Sequence, residues 1–228
     1  MSIVILETGT PPRRLVPQFG LYRDMFTDLL GTSFVSRTYD VTKGEFPERP
    51  EDHRAYLVTG SSAGVYDPLP WIDHLKAFLR NAKGKAMLVG VCFGHQIMAE
   101  AFGGRVVKSA KGWGIGLQDY RLHDHLDWAD GTANIAVPVS HQDQVVERPA
   151  NAVILGGNDF CEIGAILYRD QPAISFQFHP EFDPGFVDGL IDLIADELPD
   201  PATAHASLKR PNDRRRVGDW IKRFVDSG

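Results

Sequence analysis

The alternation of short apolar runs with helical patterns in the first half of the chain limits its fold more than any other feature. The runs "SIVILE" (2–7), "AYLVTG" (55–60) and "AMLVGV" (86–91) are almost continuously apolar, which is typical of strands buried on both faces. Segments with apolar residues at helical spacing separate them, and Asp67-Pro68 predicts the start of one such helix. This order of strands and helices predicts a parallel sheet with helices on both faces.

The pattern changes between about residues 104 and 180, where strand-like runs with turn signals follow one another, for example "NIAVPVSH" (134–141) and "AISFQFH" (173–179). One more amphipathic helical pattern follows in "DPGFVDGLIDLIADEL" (183–198). The sequence therefore predicts an α/β protein. We expect a flavodoxin-like three-layer sandwich with a mostly parallel central sheet, plus a smaller antiparallel strand region.

The length of 228 residues suits one sizeable core and is too short for two ordinary large domains. We predict one domain over residues 1–198, followed by a C-terminal tail over 199–228. This tail is rich in proline, then basic ("KRPNDRRR"), and ends in the pattern of a docking helix ("VGDWIKRFV"). Because the formal net charge is −6, we interpret the basic stretch as a solvated helix face or docking segment, and expect no nucleic-acid partner.

The sequence also bears on the cellular compartment. The N-terminus "MSIVILETG" lacks the basic start and long apolar middle of a signal peptide. No stretch approaches the eighteen or so apolar residues of a membrane span. Two cysteines, Cys92 and Cys161, do not make a disulfide framework. We therefore expect a cytoplasmic protein with reduced thiols and no membrane partner.

Cys92 lies between two glycines in "VGVCFGHQ" (89–96), where a buried strand ends and a helix begins. This is the pattern of a nucleophile elbow, and we expect Gly90 and Gly94 to prevent side-chain collisions with the tight turn. A thiol at a helix N-terminus is favoured as thiolate. The adjacent backbone N–H of Phe93 can serve as an oxyanion donor. The alternative is a buried structural cysteine with incidental glycines.

The candidate base lies in "AISFQFHPEF" (173–182). Strand alternation puts His179 on the less apolar side, together with Gln177. Pro180 ends ladder pairing, and Glu181 stands two residues beyond His179. In a Cys-His-Glu triad each residue has a distinct role, since His179 would take the proton of Cys92 and Glu181 would orient the imidazole. "HDH" at 123–125 has no further ligands at a recognisable spacing, so we expect no metal site.

With these motifs in view, the chain resembles a class I glutamine amidotransferase of the triad, peptidase C26-like type. It is most similar to the glutaminase domain of GMP synthetase and its free-standing relatives. The resemblance implies that Cys92 attacks the glutamine carboxamide to form a γ-glutamyl thioester. It also implies that His179 is the base and then the acid, and that Glu181 orients His179. The stretches that carry the resemblance, in the family's order, are "LVTGSSAGVYD", "GVCFGHQIMAEAFGGRV", "KGWGIG", "VSHQDQV" and "QFHPEF".

The same resemblance implies an oxyanion hole made by the backbone N–H groups of Phe93 and Ser61. The family usually has a second glycine and then proline after Gly60, whereas this chain has Ser61 and Ser62. We therefore expect Ser61 to need backbone dihedrals that glycine adopts at lower cost.

Four positions are implied to contact the bound substrate: Gly60, Gln96, Ser140 and His141. Gln96 would hold the polar end of the glutamine, and Ser140 and His141 would contribute main-chain contacts. From the residues alone, Gly60 is equally an ordinary turn glycine, and Gln96 reads more readily as a solvated residue of the first helical turn.

The leading functional interpretation is an enzyme that hydrolyses glutamine to glutamate and ammonia without a cofactor. In the family the ammonia passes to a synthetase, and this chain has no P-loop signature. We therefore expect either a separate synthetase subunit or a γ-glutamyl peptide or amide hydrolase that works alone on a small molecule. A third hypothesis is an inactive regulatory module. The presence of suitable residues at all three triad positions argues against it.

Overall fold

A nine-stranded sheet forms the centre of the computed structural model, which describes residues 1–123 and 128–228. The strands are β1 (Ile3–Glu7), β2 (Val35–Asp40), β3 (Ala55–Val58), β4 (Met87–Val91), β5 (Arg105–Lys108), β6 (Gly114–Leu122), β7 (Asn134–His141), β8 (Asp143–Glu147), β9 (Ala152–Gly157), β10 (Ala165–Tyr168) and β11 (Ala173–Phe176). The helices are α1 (Val16–Phe19), α2 (Tyr22–Leu30), α3 (Pro70–Ala82), α4 (Phe93–Ala101), α5 (Pro184–Leu193), α6 (Pro201–Ser207) and α7 (Arg214–Ser227).

The strand order in the large sheet is β2-β1-β3-β4-β11-β10-β9-β6-β7. The first five strands pair in parallel and the last four extend the sheet in antiparallel pairing. A separate antiparallel sheet joins β5 and β8. The predicted α/β fold, with a parallel central sheet and an antiparallel region, is confirmed. Most of the antiparallel strands continue the central sheet itself.

The parallel strands are buried on both faces, as their apolar runs predict. On one face, Ile3 and Ile5 of β1 share a core cluster with residues of α2 and α7. On the other face, Val4 and Leu6 share a cluster with residues of α3 and α4. Because apolar runs present side chains alternately to the two faces, one strand supplies both cores. The result is the predicted three-layer sandwich.

Helix α3 begins at Pro70 rather than at the predicted Asp67-Pro68. Proline at the first helical position needs no amide donor, which favours this start. The carboxylate of Asp67 instead accepts a hydrogen bond from the Gly64 amide at 2.9 Å and closes the loop after β3. In the described part of the chain, the helices are too short or too polar to cross a bilayer.

The register of the parallel strands determines where a site can form. Strand β4 lies between β3 and β11, with Gly90 opposite Val58 and Val91 opposite Phe176. The carboxyl ends of these three strands therefore meet at one edge of the sheet, where α/β proteins bind their ligands. The segments that follow them carry Gly60, Cys92 and His179.

Candidate active site

Cys92 occupies a sharp turn between β4 and α4. Its φ and ψ are 52° and −104°, and it is the one non-glycine residue with positive φ within 1–123 and 128–228. Such a conformation costs free energy and persists only where the surroundings fix it. Here the Cys92 amide donates to the Phe176 carbonyl of β11 at 2.8 Å. The predicted nucleophile-elbow geometry is therefore present.

The two flanking glycines prevent collisions within the turn, as the sequence suggested, and also with the neighbouring strand. A Cβ on Gly90 would lie 2.5 Å from the carbonyl oxygen of Gly94 and 2.6 Å from Sδ of Met98. A Cβ on Gly94 would overlap the carbonyl of Val58 in β3. The collisions are thus with the first turns of α4 and with the neighbouring strand. Glycine lets α4 start directly against β3 and β4, which sets the position of Cys92.

His179 and Glu181 lie beside each other in the segment after β11. Nδ1 of His179 donates to Oε1 of Glu181 at 2.8 Å, and both side chains are buried. The His179 amide donates to the Pro138 carbonyl of β7 at 2.8 Å. The imidazole also stacks on the ring of Phe182. The hydrogen bond and the stack fix the imidazole ring, and the amide contact fixes the backbone that carries it.

Cys92 and His179 meet next to Gly60. A Cβ built on Gly60 would lie 2.9 Å from Cε1 of His179 and 3.7 Å from Cβ of Cys92. Burial alone would lower the pKa of His179, but the charges of Glu181 and Cys92, with hydrogen bonds to both, raise it to about 10. This arrangement favours the protonated form of the His179 imidazole. Gly60 leaves room for the imidazole, so it is more than an ordinary turn glycine.

Ser61 is not strained, contrary to the expectation from its replacement of a family glycine. Its φ is not positive, so a side chain is accommodated at no conformational cost. Its hydroxyl accepts a hydrogen bond from the Ala63 amide at 3.2 Å. The preceding segment is fixed by Thr8, whose hydroxyl lies 3.0 Å from the Thr59 carbonyl and 2.9 Å from that of Gly60.

A cavity of about 470 Å³ opens beside Cys92. Its lining includes the predicted Ser61, Gln96, Ser140 and His141. The remaining predicted residues are outside this lining and are buried close to Cys92: Gly60, Phe93, His179 and Glu181. The structure thus brings every sequence-predicted site residue to one edge of the sheet. A volume of this size is typical of a small-molecule site.

Gln96 and His141 are held by the same carbonyl. The side-chain amide of Gln96 donates to the Asp143 carbonyl at 2.9 Å and to Oε1 of Gln177 at 3.1 Å. Nδ1 of His141 donates to the Asp143 carbonyl at 3.1 Å. Burial lowers the pKa of His141 to about 4, so its imidazole is neutral. Gln96 is buried and hydrogen-bonded rather than solvated, which fixes it beside the cavity.

The cavity also contains charged residues that sequence reasoning did not single out. Lys108, Asp67 and Asp143 line it, and the Tyr66 hydroxyl donates to the Asp143 carboxylate at 3.0 Å. Burial raises the pKa of Asp143, an effect that Tyr66 and Lys108 oppose. The stretches "LVTGSSAGVYD" and "VSHQDQV" include Asp67 and Asp143, whereas Lys108 lies outside the stretches that carry the family resemblance. Isolated charges carry no periodic signal, however, and only the packing of β5 on β8 brings Lys108 opposite Asp143.

The sequence of the chain matches a family model, that of class-I glutamine amidotransferases, over residues 33–190. The chain belongs to this family. It is an enzyme of the amidotransferase class, and its resemblance to the family in the sequence is thereby confirmed.

Three relatives illustrate what this class-I glutamine amidotransferase is similar to. A glutamine amidotransferase-like protein of Schizosaccharomyces pombe is 32% identical over 79% of each chain. Gamma-glutamyl peptidase 2 of Arabidopsis thaliana is 28% identical, over 78% of this chain and 75% of its own. A glutamine-hydrolyzing GMP synthase subunit of Methanopyrus kandleri is 33% identical, over 46% of this chain and 57% of its own.

Among solved structures, a glutamine amidotransferase from Thermotoga maritima has the same fold. The TM-score is 0.77 with 19% sequence identity, and the match covers 99% of this chain and 98% of that one. Similarity at this identity concerns the fold alone.

His95 of this amidotransferase does not add to the site. His95 is buried, with Nδ1 2.8 Å from the Ser175 hydroxyl and Nε2 3.1 Å from the Ile163 carbonyl. Burial lowers the pKa of His95 to about 3, so it is a neutral core residue. Of the "HDH" stretch, His125 lies outside the described residues. Elsewhere in 1–123 and 128–228, no three His, Cys, Asp or Glu side chains are grouped to hold a metal ion.

Proposed function

We propose that this protein hydrolyses the side-chain amide of glutamine to glutamate and ammonia, with Cys92 as nucleophile. The observation that carries the proposal is the meeting of the elbow thiol with an imidazole whose Nδ1 is held by Glu181 at 2.8 Å. A nucleophile, its base and an orienting carboxylate are thus next to one substrate-sized cavity. We expect the enzyme to act in the cytoplasm.

The chemical steps follow from these positions. Cys92 gives its thiol proton to His179, Sγ attacks the amide carbon, and the carbonyl π electrons move to oxygen. When the tetrahedral adduct collapses, the C–N bond breaks and His179 donates a proton to the departing nitrogen, which leaves as ammonia. Water then attacks the γ-glutamyl thioester while His179 accepts its proton, and the C–S bond breaks to release glutamate and the thiol. Glu181 stabilises the imidazolium whenever His179 is protonated.

The backbone N–H groups of Ser61 and Phe93 support an oxyanion hole. Among the hydrogen bonds of the described residues, neither amide donates to a protein group. Phe93 is the first residue of α4, so its N–H also carries the positive end of the helix dipole. Both donors are available for the oxygen on which negative charge develops.

The charges around the cavity suit an amino-acid substrate. A γ-glutamyl group carries an α-ammonium and an α-carboxylate, and the lining supplies the carboxylates of Asp67 and Asp143 together with the ammonium of Lys108. Gln96, Ser140 and His141 supply neutral hydrogen-bonding groups. We propose that these residues orient the γ-amide toward Cys92.

A second candidate function is hydrolysis of γ-glutamyl peptides or amides with the same thiol. The cavity extends from Cys92 to the apolar side chains of Leu190, Leu193 and Ile194 at the end of α5. This extension leaves space for a departing amine larger than ammonia. The similarity to a protein named gamma-glutamyl peptidase 2 also favours it. The similarity to a glutamine-hydrolyzing GMP synthase subunit instead favours transfer of ammonia to a separate synthetase subunit.

The test measures glutamate and ammonia release from glutamine, and glutamate release from γ-glutamyl dipeptides. Wild type and Cys92→Ala are compared, with Cys161→Ala as a matched control because Cys161 is outside the cavity lining. We expect turnover of glutamine by wild type and Cys161→Ala, and none by Cys92→Ala. Turnover of dipeptides alone would select the second candidate. Release from none of the substrates, with or without a synthetase, would overturn both.

A further inference from the structure

The first residue of α7 contacts the segment that carries His179 and Glu181. Nε of Arg214 donates to the Pro180 carbonyl at 3.1 Å, and Nη2 donates to the Glu181 carbonyl at 3.0 Å. Nη1 lies 3.2 Å from the Asp183 carboxylate. Arg214 is only 8% exposed. All three nitrogens of the guanidinium are therefore used on one four-residue segment, 180–183.

The neighbouring arginines do not share this arrangement. Arg215 is 64% exposed on its side chain and binds the carbonyl and carboxylate of Asp28 on α2. Arg216 pairs with Asp130 and Asp213. The arginines of the basic stretch therefore differ in exposure, because the Arg214 guanidinium is buried against the segment 180–183. A buried guanidinium with three well-placed acceptors has a defined position, unlike a solvated one.

The position of Arg214 is fixed by its surroundings. The Asp213 amide donates to the Ala136 carbonyl of β7 at 2.7 Å, and the Ala136 amide donates to the Asp213 carboxylate at 2.9 Å. The same strand accepts the His179 amide through the Pro138 carbonyl at 2.8 Å. Apolar residues of α7, such as Trp220, are part of the core. Strand β7 therefore holds both the start of α7 and the backbone of His179.

Glu181 depends on this support because its own side chain has few contacts. Oε1 accepts from His179, whereas Oε2 is buried without a hydrogen-bond partner among the described residues. The guanidinium of Arg214 is near enough to interact with the charge of Glu181. It also fixes the peptide units on both sides of the Glu181 Cα.

We propose that Arg214 is a positioning residue for the reaction. It holds the segment 180–183, so that Glu181 keeps the imidazole of His179 directed at Cys92. This role rests on the proposed thiol chemistry, and it assigns the basic C-terminal segment to the active site although that segment lies outside the family match, which ends at residue 190.

The test compares Arg214→Gln with Arg215→Gln, which removes the same group from the next, exposed position. We measure kcat and KM for glutamine, and the rate at which iodoacetamide alkylates Cys92 at neutral pH. In Arg214→Gln we expect kcat and the alkylation rate to fall about 10- to 100-fold, as for a misplaced catalytic group, with KM unchanged within about twofold. Arg215→Gln is expected to match wild type in all three.

Wild-type kcat and alkylation in folded Arg214→Gln would overturn the proposal. If Arg214→Gln does not fold, Arg214→Lys decides, because a single ammonium cannot reach the three acceptors. We then expect a reduced kcat, and wild-type values would again overturn the proposal. Alkylation needs no substrate, so slower alkylation in Arg214→Gln would support the positioning role even if wild type failed to cleave glutamine. If wild type cleaves glutamine through Cys92 and Arg214→Gln has unchanged alkylation and kcat, the positioning role is refuted while the proposed function stands.

Discussion

The imidazole of His179 lies flat against the ring of Phe182, with centroids 3.8 Å apart and an angle of 5° between the planes. Tyr22 stacks on Phe182 in turn, at 5.9 Å and 24°. The hydrogen bond to Glu181 fixes one edge of the imidazole, and the stack fixes its plane. Together they restrict the imidazole to one orientation beside Cys92.

Replacement of Phe182 by leucine is expected to lower kcat. The variant keeps an apolar side chain but loses the flat surface that restricts the imidazole, so a loss of about tenfold is expected with little change in KM. Steady-state kinetics with glutamine check this. Tyr22→Phe is the matched control, since it keeps the second ring and should retain activity. Unchanged kcat in Phe182→Leu would show that Glu181 alone orients the ring.

Gly60→Ala is expected to reduce activity with a smaller loss of stability than a clash against backbone would cause. The new Cβ would lie 2.9 Å from Cε1 of His179, so the imidazole must move, and a displacement of this kind costs about 10- to 100-fold in kcat. The φ of Gly60 is not positive, so alanine causes no backbone strain there. Urea unfolding and kinetics are measured together. Ser33→Ala, an exposed position outside the cavity lining, serves as the control that should behave as wild type.

Gly94→Ala is expected to cause a large loss of stability. Its Cβ would overlap the Val58 carbonyl, and this backbone group cannot move without disturbing the pairing of β3 with β4. Overpacking of this kind costs about 3 kcal/mol or more. The free energy of unfolding in urea measures it, with Gly60→Ala as the comparison. A Gly94→Ala protein as stable as wild type would mean that α4 is free to shift away from β3.

Much of the fold and of the site is predictable because the signals are local. The apolar runs of β1, β3 and β4 are buried on both faces as they suggest, and the glycines around Cys92 indicate the elbow directly. His179 and Glu181 are two residues apart, so their hydrogen bond needs no long-range information. The pairing of Cys92 with His179 follows from the parallel order of β4 and β11, for which the α/β pattern and the family resemblance supply the expectation.

The remaining features depend on contacts between distant segments. Arg214 stands in a run of three arginines, and nothing in that run distinguishes the one that is buried. Its partners at 180–183 lie more than thirty residues earlier, and only the docking of α7 against β7 brings them together. Likewise, the need for glycine at position 94 comes from the Val58 carbonyl of another strand. Side-chain destinations of this kind are set by tertiary packing, which local pattern does not encode.

The pKa of His179 implies a pH dependence of stability that Glu181→Gln should reveal. The pKa is raised from 6.5 to about 10 in the folded protein, so His179 binds its proton more tightly there than in the unfolded chain. The resulting stabilisation is complete below pH 6.5 and is lost as the pH rises toward 10. In Glu181→Gln, burial without the carboxylate disfavours the imidazolium. The loss of unfolding free energy in the variant, relative to wild type, should therefore be largest at low pH.

Urea unfolding of wild type and Glu181→Gln across this pH range measures the difference directly. The gap in unfolding free energy should be widest near pH 6.5 and should narrow steadily toward pH 10. Asp188→Asn is the matched control, because it removes the carboxylate beside His205, a partly exposed pair with Nδ1 and Oδ1 2.6 Å apart. Exposed pairs contribute little, so this variant should follow wild type at every pH. A gap for Glu181→Gln that is constant, or that widens with pH, would mean that Glu181 does not stabilise a protonated His179.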